Sequence, residues 1–229
     1  TICDSPYLYE VNINVNQFHG SIPNTIGNCP EMYYINLYLN YITGTLPESI
    51  GDLSDLSFLF MSNNELTGTM PESYAALPYL TQMDFDHNHL TGTFPSVVTG
   101  WYYLEEININ SNMFTGTLPY DVSQLPYLKV LLVADNNLHG RLNNIVNSTV
   151  QTELSYIDIN NNQFSGPLFS ALFLLPLNTL SAVRNCFTGT LPPAICDCRT
   201  LVTVALDGLS SSPACRSCFN TTKPSGPGI

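Results

Sequence analysis

Apolar residues in this chain return at fixed offsets from a recurring asparagine: eight, five and three positions before it, then two and six after it. Leu56, Leu59, Met61, Leu66 and Met70 around Asn64 show the pattern. The asparagines are Asn16, Asn40, Asn64, Asn88, Asn112, Asn136, Asn162 and Asn185, spaced 24, 24, 24, 24, 24, 26 and 23 residues apart. Each stands four residues before a glycine. A period of 20–50 residues marks a solenoid. Within each unit the alternation of Leu59 in, Phe60 out and Met61 in predicts a short half-buried strand. One such strand per coil, roughly 4.8 Å from the last, predicts a parallel sheet and a solenoid about 40 Å long.

The asparagine column has a physical cause. Where the chain leaves the strand and turns inward, backbone N–H and C=O groups face the interior without strand partners. A short amide with two donors and an acceptor satisfies them, and each bare group would cost roughly 1–3 kcal/mol. The eight asparagines are therefore read as architecture. The glycines admit backbone angles that a side chain opposes. Pro23, Pro47, Pro71, Pro95, Pro119 and Pro192 fix φ where the coil bends, with Asn143 and Phe169 in their place in the sixth and seventh units.

The motif LxxLxLxxNxLxGxxP, as it runs from Leu56 to Pro71, resembles the plant-type leucine-rich repeat of the GxIP class, and the likeness extends from Leu8 to Leu206. The resemblance implies an α/β repeat solenoid, a right-handed coil with a parallel concave β-sheet and short turns and 3-10 segments on the convex side. It also implies an extracellular setting, in receptor ectodomains, inhibitors or wall proteins, and recognition of a partner without catalysis. Residues 1–209 are expected to form the solenoid, with eight full repeats and partial end repeats. Residues 210–222 would form a Cys-containing C-terminal cap, and 223–229 a flexible tail.

Charge narrows the partners. The chain carries six Lys and Arg against eighteen Asp and Glu, and no Lys or Arg precedes Lys129. Such a surface repels nucleic acid, anionic lipid and acidic polysaccharide, and favours cations or basic partners. No apolar run long enough for direct membrane insertion is present. Of seven cysteines, Cys3 and Cys29 fall on consecutive coils within bridging reach, while Cys186, Cys196, Cys198, Cys215 and Cys218 crowd the last coil. Disulfides at Cys196, Cys198, Cys215 and Cys218 are preferred to a zinc site, and the odd count leaves one thiol over. The sequons at Asn147 and Asn220 agree with a secreted or cell-surface glycoprotein.

The register assigns the outward side chains of the concave face. Tyr34, Asn36 and Tyr38 on one coil and Phe58 and Phe60 on the next make an aromatic patch. Gln82, Asp84 and Asp86, then Glu106, Asn108 and Asn110, make an acidic and amide field beside it. Exposed aromatics next to amides suit a protein or neutral glycan. Asp84, Asp86, Asn108 and Asn110 would form a rectangle of roughly 5 by 7 Å whose oxygens suit calcium, although solvated surface is the plainer reading and no metal or cofactor is expected. His89 is placed just past the strand, where the chain turns, so Asp86, His87 and His89 read as solvated. No nucleophile elbow, metalloprotease helix or phosphate loop appears, so no catalytic residue is assigned and the chain is not read as an enzyme. Two alternatives remain. One is a structural or adhesive wall protein that assembles with its own copies, bridged by cations. The other is ice binding through Thr43-Gly44-Thr45 and its equivalents, if that segment is extended.

Overall fold

The structure, a computed structural model, describes Cys3, Ser5 and residues 7–206. The expected cap at 210–222, the tail at 223–229, Cys215, Cys218 and the Asn220 sequon lie outside the described residues.

Nine three-residue strands pair in parallel and in chain order to form the concave sheet: Glu10–Asn12, Tyr34–Asn36, Phe58–Phe60, Gln82–Asp84, Glu106–Asn108, Val130–Leu132, Tyr156–Asp158, Thr179–Ser181 and Thr203–Ala205. Pairing is in register by repeat, so Leu59 lies between Ile35 and Met83. The middle residue of each of the first eight strands is buried, and the core is a single column running through the coils. Leu56, Leu59, Met61, Leu66 and Met70, all expected inside, are buried.

A second parallel sheet of eight strands, from His19–Ser21 to Cys186–Thr188, follows the asparagine of each coil. The Thr-Gly-Thr segments lie on it, in strands such as Tyr41–Thr45 and Glu65–Thr69. His89 opens one of these strands, His89–Thr93, which corrects the expectation that the chain simply turns there. Between the sheets the residue before each repeat asparagine is left-handed, from Val15 to Arg184, with φ between 51 and 57°. That single residue per coil reverses the chain from one sheet to the other.

The convex side carries short 3-10 turns. Where proline precedes one, as at Pro47 or Pro71, φ is −68 and −64°; in the sixth unit the turn starts two residues earlier, after Arg141, and in the seventh after Phe169, with φ −121 and −124°. Proline thus sets the entry angle but is not needed for the turn. Ser73 Oγ donates to the Glu48 carbonyl of the preceding coil at 2.8 Å, locking adjacent turns.

Buried amides join the coils. Asn112 Oδ1 accepts from Leu90 N at 2.9 Å, and its Nδ2 donates to Phe85 O at 2.9 Å, Asn110 O at 2.9 Å and Ile109 O at 3.3 Å. The bond to the preceding coil's backbone N–H repeats at Asn40, Asn64, Asn88, Asn136, Asn162 and Asn185. Among the described residues the Asn16 side chain bonds only within its own coil, to Ile13 O and Asn14 O, and the residue is exposed. At the first coil Cys3 and Cys29 form a disulfide. Cys196 is also disulfide-bonded. Cys198, expected in a bridge, is a free thiol, which corrects that assignment. Its Sγ turns toward the Leu175 and Leu177 carbonyls of the preceding coil, at 3.7 and 3.9 Å. Cys186, on the second sheet, is free and exposed.

Candidate recognition surface

The concave strands do bring the aromatic residues together, but as a packed network. Tyr34 lies 5.8 Å from both Phe58 and Phe60, and Phe58 lies 6.2 Å from Phe60, measured between ring centroids. All three are half-buried, and Tyr38 beside them is 36% exposed. Two rings join that column reading at −6, −4 and −2 does not reach. Tyr33 lies 6.1 Å from Phe58 and stacks on Tyr9 at 5.9 Å. Both occupy the column seven residues before the asparagine, so the same 24-residue spacing could have found them. Offset and edge-to-face contacts of this kind hold each ring in place by about 0.5–1.5 kcal/mol beyond burial.

The amide field behaves differently from expectation. Asn36, assigned as a ligand contact, is only 8% exposed: its Oδ1 accepts from Tyr38 N at 3.1 Å and its Nδ2 donates to the Tyr34 hydroxyl at 3.1 Å. Its role is to hold Tyr34 and the strand exit. Asp84, Asn108 and Asp158 make the same bond to the backbone N–H two residues on. Asp84 Oδ2 also accepts from Ser62 Oγ at 2.8 Å, and Asn110 Oδ1 accepts from Ala134 N at 2.6 Å. Asp86 Oδ1 lies 2.7 Å from His87 Nδ1. The proposed calcium rectangle of Asp84, Asp86, Asn108 and Asn110 is therefore a set of oxygens already engaged with backbone and neighbours. Among the described residues no group of three or more His, Cys, Asp or Glu is placed to hold a metal ion. Gln82, Glu106 and Asp86 remain partly exposed beside the rings.

Burial raises the Asp84 carboxyl above its ordinary value, against the bonds from Asp86 N and Ser62. Burial also raises Glu106, with the Asp84 charge adding to it. In both cases the native state holds its proton more tightly than the unfolded chain. The resulting stability is fully present below the ordinary values of 3.8 and 4.5 and is lost as pH rises through the higher native ones. Thermal unfolding should therefore occur at a higher temperature at about pH 4, near the ordinary values, than at pH 7. In Asp84→Asn, which keeps the acceptor for Asp86 N, the difference should narrow; an unchanged difference would locate the effect elsewhere.

On the second sheet the threonines pair across coils, Thr45 with Thr67 and Thr69 with Thr91. Thr67, Thr91 and Thr115 donate their hydroxyls to the Gly44, Gly68 and Gly92 carbonyls of the preceding coils, each at 3.2 Å. These hydroxyls tie coil to coil. The Asn147 sequon sits at a turn, where Asn147 Oδ1 accepts from Thr149 N and Oγ1 at 3.1 and 2.7 Å.

Comparison with known proteins agrees with the fold. A family model described as Leucine Rich Repeat matches residues 103–125. No curated protein matches the chain in sequence. Among solved structures, a TDR receptor is similar at 31% identity and a TM-score of 0.84, over 89% of this chain and 35% of that one. The Arabidopsis receptor kinase HAESA, solved with the peptide hormone IDA and the co-receptor SERK1, is similar at 27% identity and a TM-score of 0.85, over 91% and 35%. A plant ice-binding protein shares the fold, at 23% identity and a TM-score of 0.64, over 91% and 76%. The chain spans about a third of the length of the two receptor chains. Among the described residues no helix is long and apolar enough to cross a membrane. With two parallel sheets joined by 3-10 turns and an asparagine in each of eight successive coils, the chain is a leucine-rich-repeat solenoid.

Proposed function

We propose that the chain is an extracellular, non-catalytic recognition module whose concave face binds an extended peptide or an exposed segment of a protein. One observation carries this reading: Tyr9, Tyr33, Tyr34, Phe58 and Phe60 form a single ring network across three adjacent coils on the face lined by the parallel strands. Large aromatic side chains held rigid by one another give contact area at low entropic cost, which is what a binding hot spot requires. Partly exposed carboxylates follow on the next coils, so a segment with apolar anchors and basic residues complements the face. The HAESA complex, whose receptor chain binds a peptide hormone, supports a peptide over a glycan.

The test is selection of 12-residue peptides from a display library on the immobilised chain. Selected peptides should bind the Phe58→Ala/Phe60→Ala variant at least about tenfold more weakly, with its circular dichroism spectrum unchanged. Equal binding to both proteins, or recovery of neutral glycans and no peptides from a mixed array, would contradict the proposal.

A further inference from the structure

A second aromatic column lies on the rim of the concave sheet, nine residues before the repeat asparagine. Tyr79, Tyr103 and Tyr127 recur at 24-residue spacing and are all exposed. Their rings stack like plates in a rack, with centroids 6.3 and 6.0 Å apart and interplanar angles of 21 and 16°. Tyr102 buttresses the rack edge-on, 5.1 Å from Tyr103 and 5.5 Å from Tyr127. Alongside runs an open groove of about 640 Å³, lined by these three rings together with Asp55, Ser57, Thr81 and Glu105.

A stack of three rings has two outer faces, and the column places a carboxylate beyond each. Asp55 holds the equivalent position on the coil before Tyr79, and Glu153 holds it on the coil after Tyr127, two residues further on because that repeat is longer. At the Tyr127 end the chain supplies its own cation. Lys129 Nζ lies 2.8 Å from Glu105 and 3.7 Å from Glu153. At the Tyr79 end no Lys or Arg is at hand from this part of the chain, because none precedes Lys129. The inner faces of the rack are occupied by neighbouring rings, so a sugar cannot stack within it. The outer face of Tyr79 is the one left for a planar group.

We infer that the slot between the Tyr79 ring face and Asp55 receives an arginine side chain from an extended segment of a protein partner. A guanidinium stacks on an aromatic face while its N–H fork donates to a carboxylate, which an ammonium does less well. Successive same-side residues of an extended segment are roughly 6.8 Å apart. That is close to the 6.3 and 6.0 Å steps of the rack, so the segment can run along the groove with its backbone beside Ser57 and Thr81. Desolvation is mild, because the slot is at the rim, and the overall acidity of the chain steers a basic segment toward it.

This groove is separate from the concave ring network, so the two readings fail independently. The test uses N-acetyl-arginine methylamide as the ligand and the tyrosine ring signals of the ring-labelled chain as the readout. Saturable shifts are expected at Tyr79, with binding at least about tenfold weaker in Asp55→Asn. The citrulline analogue, which is neutral and nearly isosteric, should produce no shift. Phe58→Ala/Phe60→Ala and Glu48→Gln should bind as the wild type does. Equal shifts at all exposed tyrosines, citrulline binding as well as arginine, or Asp55→Asn binding unchanged would each overturn the inference. The first and third results would reduce the effect to diffuse attraction by an acidic surface, and the second would show that the slot does not recognise the charge.

Discussion

Asn112→Leu should lower the stability of the chain by about 3–5 kcal/mol, although leucine fills a similar volume. The substitution leaves the buried Leu90 N–H without its acceptor, and the Phe85 carbonyl without the 2.9 Å bond from Nδ2. Each bare group carries its full desolvation cost, and Asn112 is only 8% exposed, so water does not replace the amide readily. For a chain of this length that corresponds to a midpoint lower by roughly 10 °C. Asn16 provides the control. It is exposed and its side chain bonds only within its own coil among the described residues, so Asn16→Ala should cost about 1 kcal/mol or less. Urea unfolding of both variants checks the contrast. Similar losses at the two positions would mean that the asparagines act locally and not as links between coils.

The second large effect is steric. Gly51 faces the next coil's 3-10 turn, and a Cβ built there would lie 2.6 Å from both the Cβ and the carbonyl oxygen of Ser73. Neither atom can move without shifting the backbone, so the two turns must separate and the Ser73 bond to Glu48 O must stretch. Gly51→Ala should therefore cost about 3 kcal/mol or more. Gly20 makes the comparison clean. Its φ is +93°, and no atom of the described residues lies within 4 Å of a Cβ built there, so Gly20→Ala incurs only backbone strain of roughly 1 kcal/mol. Unfolding midpoints in urea distinguish the two. If Gly20→Ala were the more damaging, backbone angle and not coil-to-coil approach would govern glycine in this fold.

Repetition made most of the fold readable. A column of apolar residues every 24 positions determines which side chains face the core, and Leu59 inside with Phe60 outside follows from period two alone. The asparagine ladder was legible for the same reason, because a single residue type recurs where backbone groups lack partners. The left-handed residue before each asparagine was not. Val15, Leu39, Asn63 and His87 share a backbone angle but no side-chain chemistry, so the column has no compositional signature. Gly51 and its equivalent Gly27 are not legible in the sequence, since they depend on contact with Ser73 and Ser49 of the next coil, and neither is Gly100, one column later, which meets Ala75 of the preceding coil.

The surface was only partly readable, because period two gives direction and says nothing of what a polar side chain does next. Asn36, Asp84 and Asn108 do point outward from their strands, then return to bond the backbone two residues on. An outward column therefore contains both structural and free groups. Tyr33 and Tyr79 lay outside the three columns taken as the binding face, yet each stacks on its repeat equivalent. The crowding of cysteines at the last coil points Cys198 to a bridge, whereas the thiol is free and its Sγ faces the Leu175 carbonyl.

The central claim, recognition of an extended peptide by the concave rings, is tested most directly by a crystal structure of the chain with a display-selected peptide. The expected map has peptide density crossing Tyr34, Phe58 and Phe60, with an apolar side chain seated against them. Density on the threonine sheet or the convex 3-10 turns, with the ring network uncovered, would contradict it.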